Sequence, residues 1–246
     1  MQVEVWSDVA CPWCAVGKRR LEAALARFEH RDEVDVRWRS FELDPAAPPV
    51  RDGDYARRLA DKYGSSLDAA RAMIDRMTAT AAADGWRFRF DRIRPGNTFD
   101  AHRLLHLAAE RGVQDAVKEA LLSAYLEDGV AIGDHDALAA VAAAAGLEPG
   151  EVGDVLAGDR YAAEVRADEQ QAHAFGITGV PFFVLDRRYG VSGAQPADVL
   201  LQALRQAWSE RTPLAMVGVD APRDHGHVHD HGHDHGEACA DGSCAI

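Results

Sequence analysis

The chain has 246 residues, 47% hydrophobic and 27% charged, with a formal net charge of -13. That length suits one domain carrying a substantial insertion, and the composition is ordinary globular material. The acidic balance argues against a nucleic-acid partner, which needs clustered Lys and Arg, and no apolar run approaches the ~20 residues of a membrane helix.

In chain order, Gln2 to Ser7 alternates as a buried strand, and Val16, Leu21, Ala24, Leu25 and Phe28 then recur at helical spacing through His30. Because the chain enters a strand at once, with no basic n-region or apolar h-region, the expected compartment is the cytoplasm. There thiols are kept reduced, and closely spaced cysteines are catalytic, sensing or metal-binding rather than structural staples. Between strand and helix stands Cys11-Pro12-Trp13-Cys14. Pro12 favours the first helical position, which leaves Cys11 at the N-cap, where free N–H groups and the positive end of the helix dipole stabilise a thiolate. Cys11 is therefore the candidate nucleophile, and Cys14, one turn deeper, the resolver. The alternative is half of a four-cysteine zinc site completed by Cys239 and Cys244, but Pro12 and Trp13 suit a helix start better than a zinc knuckle.

Val34 to Phe41 alternates as a second strand, parallel to the first across a βαβ crossover, and Asp44 to Pro49 breaks regular structure. From Asp54 to Phe175 the pattern is helical. Ser66 is placed to cap a helix running to Ala83, and Asp134 another that ends before Gly146. Leu104, Leu105, Leu107 and Ala108 lie on a helix after Asn97, and Val117, Leu121, Leu122 and Tyr125 form the stripe of the next. Trp86 to Phe90 alternates like a short strand or extended arm, its aromatics read as core. The β pattern returns at Ile177 to Leu185, turns at Asp186 to Arg188 and runs back through Tyr189 to Gly193. A helix with Val199, Leu200, Leu204 and Trp208 on one face closes the fold.

After Pro213 periodicity is lost. His225, His227, His229, His231, His233 and His235 alternate with Gly, Val and Asp, a tract expected to be disordered when empty and to bind zinc or another divalent metal. Cys239 and Cys244 flank a turn sequence, and three readings stay open: a second redox pair exchanging with Cys11, ligands for a metal shared with the histidines, or a frayed terminus. His30, His102, His106, His135 and His173 are read as structural or surface residues.

The order β-α-β, helical insertion, β-β-α, with C-x-x-C at the first helix and Gly179-Val180-Pro181 ahead of the third strand, resembles the thioredoxin fold in its DsbA-like branch. Within it, Ser7 to Cys14, Gly17 to Leu21, Asn97 to Leu104 and Ser192 to Pro196 resemble FrnE-type disulfide oxidoreductases and isomerases, relatives of 2-hydroxychromene-2-carboxylate isomerases and kappa-class glutathione transferases. The fold so implied is α/β, a thioredoxin-like domain of residues 1–50 and 176–210, an inserted helical domain of 51–175, and a tail of 211–246. The resemblance implies thiol-disulfide exchange on protein disulfides, with a cellular thiol reductant as partner and no cofactor required. It also implies a cis Val180-Pro181 bond facing the cysteines, with Pro12, Trp13, Val180 and Pro181 binding substrate. The rival is a glutathione-dependent enzyme acting on small molecules, although such relatives generally carry serine where this chain has Cys11; a third reading is a metal-buffering protein.

Two departures stand out. Thioredoxins and DsbA carry a buried carboxylate six residues before the first cysteine, and here that residue is Val5, so proton transfer needs another group; Asp8 is either that group or a solvated turn residue. Trp13 stands where DsbA has histidine, and its neutral indole implies a less stabilised thiolate.

Overall fold

A computed structural model describes residues 1–211 except Asp52, so the readings placed on the tail, its six histidines, Cys239 and Cys244 included, lie outside the described residues. Four strands form one sheet in the order β2-β1-β3-β4, where β1 is Gln2–Ser7, β2 Asp35–Ser40, β3 Phe182–Leu185 and β4 Tyr189–Ser192. β1 pairs parallel with β2, Val5 opposite Trp38, and antiparallel with β3, Val5 opposite Phe183; β3 pairs antiparallel with β4. Helix α1, Pro12–Leu25, makes the crossover from β1 to β2.

Among the described residues, seven α-helices fill the span between β2 and β3: α2 Tyr55–Tyr63, α3 Leu67–Ala83, α4 Phe99–Glu110, α5 Gln114–Ser123, α6 His135–Ala144, α7 Pro149–Ala157 and α8 Ala162–Ala174. Short polar side chains start several of them. Ser66 accepts from the Ala69 N–H and Asp134 from the Ala137 N–H, satisfying donors that the first turn leaves orphaned. Past α5 the chain widens into a π-helical turn, Ala124–Asp128, closed by the left-handed Gly129. Helix α9, Ala197–Ser209, returns against α1.

Among the described residues, a small apolar cluster of Trp6, Ala172, Ile177 and Val184 and two large ones fill the interior. One joins Val3, Val5 and Phe183 of the sheet to Leu21 and Ala24 of α1 and to Leu200, Leu201 and Leu204 of α9. The other runs from Val9, Ala15 and Val16 into Leu104, Leu107, Leu121, Leu122 and Leu138 of the inserted helices. The insertion therefore packs on the turn and first helix that carry the cysteines, and shares a core with them.

Two elements differ from their sequence-based bounds. The first helix stops at Leu25 rather than running to His30, because Phe28 and His30 turn back onto Trp208 of α9, with the His30 and Trp208 rings stacked 4.1 Å apart. The third strand starts at Phe182, since Ile177 to Pro181 is loop. Trp86 to Phe90 is the extended arm of the two forms its sequence allows, with no partner strand among the described residues; Trp86 and Phe88 are buried in the second cluster, and the Trp86 indole N–H donates to the Ala15 carbonyl at 2.9 Å.

Candidate active site

The β1-α1 turn places Cys11 at the N-cap of α1, with φ -97° and ψ 112°, and Pro12 at the first helical position. A proline there loses nothing, because the first-turn N–H has no intrahelical partner. The Cys11 carbonyl accepts from the N–H groups of Cys14 at 3.0 Å and Ala15 at 3.3 Å, which folds the four residues into one tight turn. Both thiols are free and buried. They differ in access: Cys11 is 4% exposed and lines a cavity of about 770 Å³, whereas Cys14 is 0% exposed and lies beneath it.

Across from the turn, the Val180–Pro181 peptide is cis, and the Cys11 thiol donates to the Val180 carbonyl at 3.7 Å. Pro181 offers no backbone N–H at this point, and its own carbonyl accepts from Gly193 at 2.8 Å, tying the loop to the end of β4. The approach of α1 to this loop requires glycine at position 17, since a Cβ there would stand 2.9 Å from Pro181 Cγ and 3.3 Å from Phe183 Cζ. Trp13, at 42% exposure, and Leu43 form an apolar rim, and Tyr55, Leu59 and Tyr63 of α2 form the opposite wall. Arg51, Arg58 and Lys62 add positive charge, and the Arg58 Nη1 is buried with no hydrogen-bond partner among the described residues. Burial pushes the Tyr55 phenol up to about 12, so it stays neutral and able to donate.

Below the turn the environment is polar. Asp8 is 1% exposed, which rules out a solvated turn residue. Its carboxylate accepts from the Leu43 N–H at 2.8 Å and the Ala10 N–H at 3.3 Å, and the His102 Nε2 of α4 lies 3.4 Å away. Burial alone would raise its pKa, but His102, the Leu43 N–H and Lys118 outweigh that and hold it below the usual range, so Asp8 stays ionised and carries no proton near neutrality. His102, read from sequence as structural or surface, and Lys118 of α5 are thus both part of the floor of the site. Sequence reasoning missed them because they sit on helices roughly a hundred residues downstream of the cysteines, far in sequence from Asp8 and Ser7. The remaining singleton histidines belong elsewhere: His106 bonds Ser40 at 3.1 Å and sits 3.3 Å from Asp168, while His135 lies 2.8 Å from Asp100.

The two thiols titrate as a unit. The hydrogen bond with Cys14, and then burial, push Cys11 well up, because a charge on one sulfur opposes a charge on the other. Burial would raise Cys14 as well, but the Cys11 thiol, the Lys118 ammonium and the Ser7 hydroxyl pull it down. A charge on either sulfur therefore opposes a charge on the other. Once Cys11 gives up its proton, it is a thiolate at a helix N-terminus facing an open cavity, the arrangement needed to attack a disulfide sulfur.

Comparison with known proteins agrees with this geometry. The DSBA-like thioredoxin domain family matches residues 2–205. The crystal structure of a probable DsbA oxidoreductase from Streptomyces coelicolor is 52% identical, with a TM-score of 0.84 over 90% of this chain and 95% of that one. The uncharacterized protein YwbO of Bacillus subtilis is 26% identical over 206 residues, 83% of this chain and 96% of its own. The cytosolic disulfide reductase DsbM from Pseudomonas aeruginosa, solved with GSH, is 19% identical with a TM-score of 0.61, covering 85% of this chain and 100% of its own, a likeness of fold. With its cysteine turn, its sheet order and its inserted helices, the chain belongs to the DsbA-like thioredoxin-domain family of oxidoreductases.

Proposed function

We propose that the protein is a cytosolic, FrnE-type thiol-disulfide oxidoreductase or isomerase acting on protein disulfides. Cys11 attacks one sulfur of the substrate and releases the other as a thiolate; Cys14 then attacks the mixed disulfide, freeing the substrate and leaving the Cys11-Cys14 disulfide, which a cellular thiol reductant reopens. The observation that carries this reading is the difference in access between the thiols: the Cys11 sulfur lines the cavity, and the Cys14 sulfur is sealed one turn below it. Trp13 and Leu43 offer apolar surface to side chains on either side of a substrate cysteine, and Val180, joined to the cis Pro181, lines the cavity beside Cys11. The test is reduction of a folded protein disulfide, such as insulin's, with a thiol recycling agent; turnover that requires both Cys11 and Cys14 supports the reading, and turnover indifferent to either defeats it.

A glutathione-linked reading draws on the cations: Arg51, Arg58 and Lys62 suit a small thiol bearing carboxylates, and Arg58 has a buried guanidinium nitrogen still without a partner. Its measure is preference. A glutathionylated peptide reduced far faster than a protein disulfide would favour it.

The tail reading is also carried forward as a proposal, in which His225, His227, His229, His231, His233 and His235 take a divalent metal and Cys239 and Cys244 either join them or relay electrons. Calorimetry with zinc on the full chain, on a chain truncated after Pro222 and on the Cys239→Ser, Cys244→Ser double variant separates these outcomes. Metal binding undiminished by truncation would sink the tail assignment.

A further inference from the structure

One group beneath Cys14 has no part in the steps above. Lys118 of α5 is 0% exposed, and its Nζ makes one hydrogen bond among the described residues, to the Ser7 carbonyl at 3.4 Å. The Trp38 ring lies beside it, with the ammonium 5.6 Å from the centroid. Ser7 connects the lysine to the active-site turn, because its hydroxyl is buried without a hydrogen-bond partner among the described residues and is among the groups that lower Cys14. The charged and titratable groups facing Lys118 are Cys14, Asp8, Cys11 and Lys18, with His102 of α4 behind Asp8. Asp8 is already ionised and held by its own partners. On the strand leading into the turn, position 5 is a buried valine that can neither give nor take a proton.

The difficulty that Lys118 meets arises midway through the reaction. In the reduced pair, the Cys11 thiol helps to hold a thiolate on Cys14. When Cys11 attacks as the thiolate, the charge on it opposes a charge on Cys14, which keeps its proton, and once Cys11 is bonded to substrate it can no longer donate. A protonated Cys14 is a poor nucleophile.

We propose that Lys118 takes the proton from Cys14 in the resolving step, serving as the buried base of thiol-disulfide exchange in this protein. The inference rests on the oxidoreductase reading above. The Cys14 S–H proton passes to the neutral amine, directly or across the Ser7 hydroxyl, and leaves an ammonium beside a thiolate. The thiolate electron pair forms the bond to the Cys11 sulfur, the bond from Cys11 to the substrate sulfur breaks, and the substrate leaves as a thiolate that takes a proton from water. Two electrons pass from the cysteine pair to the substrate disulfide, and the ammonium returns its proton to solvent. Desolvation of the unpaired ammonium supports this role: it brings Lys118 down to about 8, against 10.5 for a free lysine, so neutral amine is present at working pH. Because Lys118 acts through Cys14, it is a positioning residue for the proton rather than a group in contact with substrate.

The experiment is an acid-quenched single-turnover time course with a peptide disulfide as probe, read by intact mass on the full chain. In wild type the mixed disulfide is expected to be fleeting. In Lys118→Met it should accumulate, its decay at pH 7 slowed by roughly tenfold for each pKa unit that Cys14 rises, and recover as the pH is taken toward 10. Adduct formation in Cys14→Ser should slow far less when Lys118→Met is added, since the first attack precedes the proton transfer. Resolution at wild-type rate with an unshifted pH profile in folded Lys118→Met overturns the proposal. Should that variant not fold, the wild-type profile decides: resolution rising through about pH 8 supports the base, and a flat rate from pH 7 to 9 overturns it. Normal adduct formation with unaltered resolution removes only the role of Lys118, whereas absence of any adduct in Cys14→Ser removes the oxidoreductase reading itself.

Discussion

Two buried lysines lie within 6 Å of the centroid of the same Trp38 ring, and the chain treats them in opposite ways. Lys18 of α1 is surrounded by carboxylates: it pairs with Glu22, with Asp115 at 3.1 Å and with Glu119 at 3.0 Å. Burial would lower its pKa, but those three partners more than reverse that and raise it, so the group is locked as a cation. Lys118 has a carbonyl for a partner and falls to about 8. The contrast separates structural charge from chemical charge. An ammonium tied to three carboxylates cannot release its proton at any useful pH, whereas one buried beside a thiol with no carboxylate bonded to it can.

The comparison would break first at the cysteines, where the largest effect is expected. Cys11→Ser should abolish turnover in an insulin-reduction assay, because the remaining sulfur, Cys14, has no path to the cavity. Activity retained in that variant would mean that the floor of the site, Lys118 included, is merely structural.

The lysines themselves give the next effect, and it should differ in sign. Lys118→Met removes a buried unpaired charge and is expected to leave stability unchanged or raise it by about 1–3 kcal/mol at pH 7. Lys18→Met leaves three carboxylates facing one another, and since these are partly exposed the loss should be about 1 kcal/mol. Denaturant melts check both. Linkage adds a pH signature. Below about pH 8 Lys118 is charged in the folded and unfolded states alike, and the folded state bears the full desolvation cost. Between about 8 and 10.5 the folded state sheds its proton first, so that cost fades and the advantage of Lys118→Met should shrink as pH rises through this window.

Smaller effects sharpen the picture of how α1 is seated. Gly17→Ala gains roughly 1 kcal/mol of helix propensity but drives a methyl against Pro181, at an overpacking cost of about 1–3 kcal/mol. A modest net loss of stability is expected, with a severalfold loss of exchange because the Pro181 loop is displaced from Cys11. Least costly to the fold is Trp13→Ala. With 42% of that side chain exposed, melts should move by no more than about 0.5 kcal/mol, while KM for peptide disulfides rises at nearly constant kcat.

Much of this site was legible in the residue order. Cys11, Pro12 and Cys14 mark a helix start with two thiols one turn apart, and Ser66 and Asp134 mark helix starts because a short polar side chain meets a local need within its own first turn. What escaped depends on contacts distant in sequence. Asp8 is buried because Leu43 supplies an N–H from 35 residues on, and no local pattern foretells that. Lys118 had a signal that was passed over. It falls in register with Leu121, Leu122 and Tyr125 at intervals of three, four and seven, on the apolar face of its own helix, where a charged residue is expensive unless it has work to do. The third strand was drawn too long because Ile177 to Pro181 is as apolar as a strand, yet it serves as the loop that meets Cys11.

The division of labour between the two thiols is tested most directly by mapping where a substrate attaches. Cys14→Ser and Cys11→Ser are each to be mixed with a peptide disulfide at neutral pH, quenched with acid and digested for mass spectrometry. The account predicts one stable adduct on Cys11 in the Cys14→Ser protein and essentially none on Cys14 in the Cys11→Ser protein. Adducts forming on Cys14 as fast as on Cys11 would contradict it.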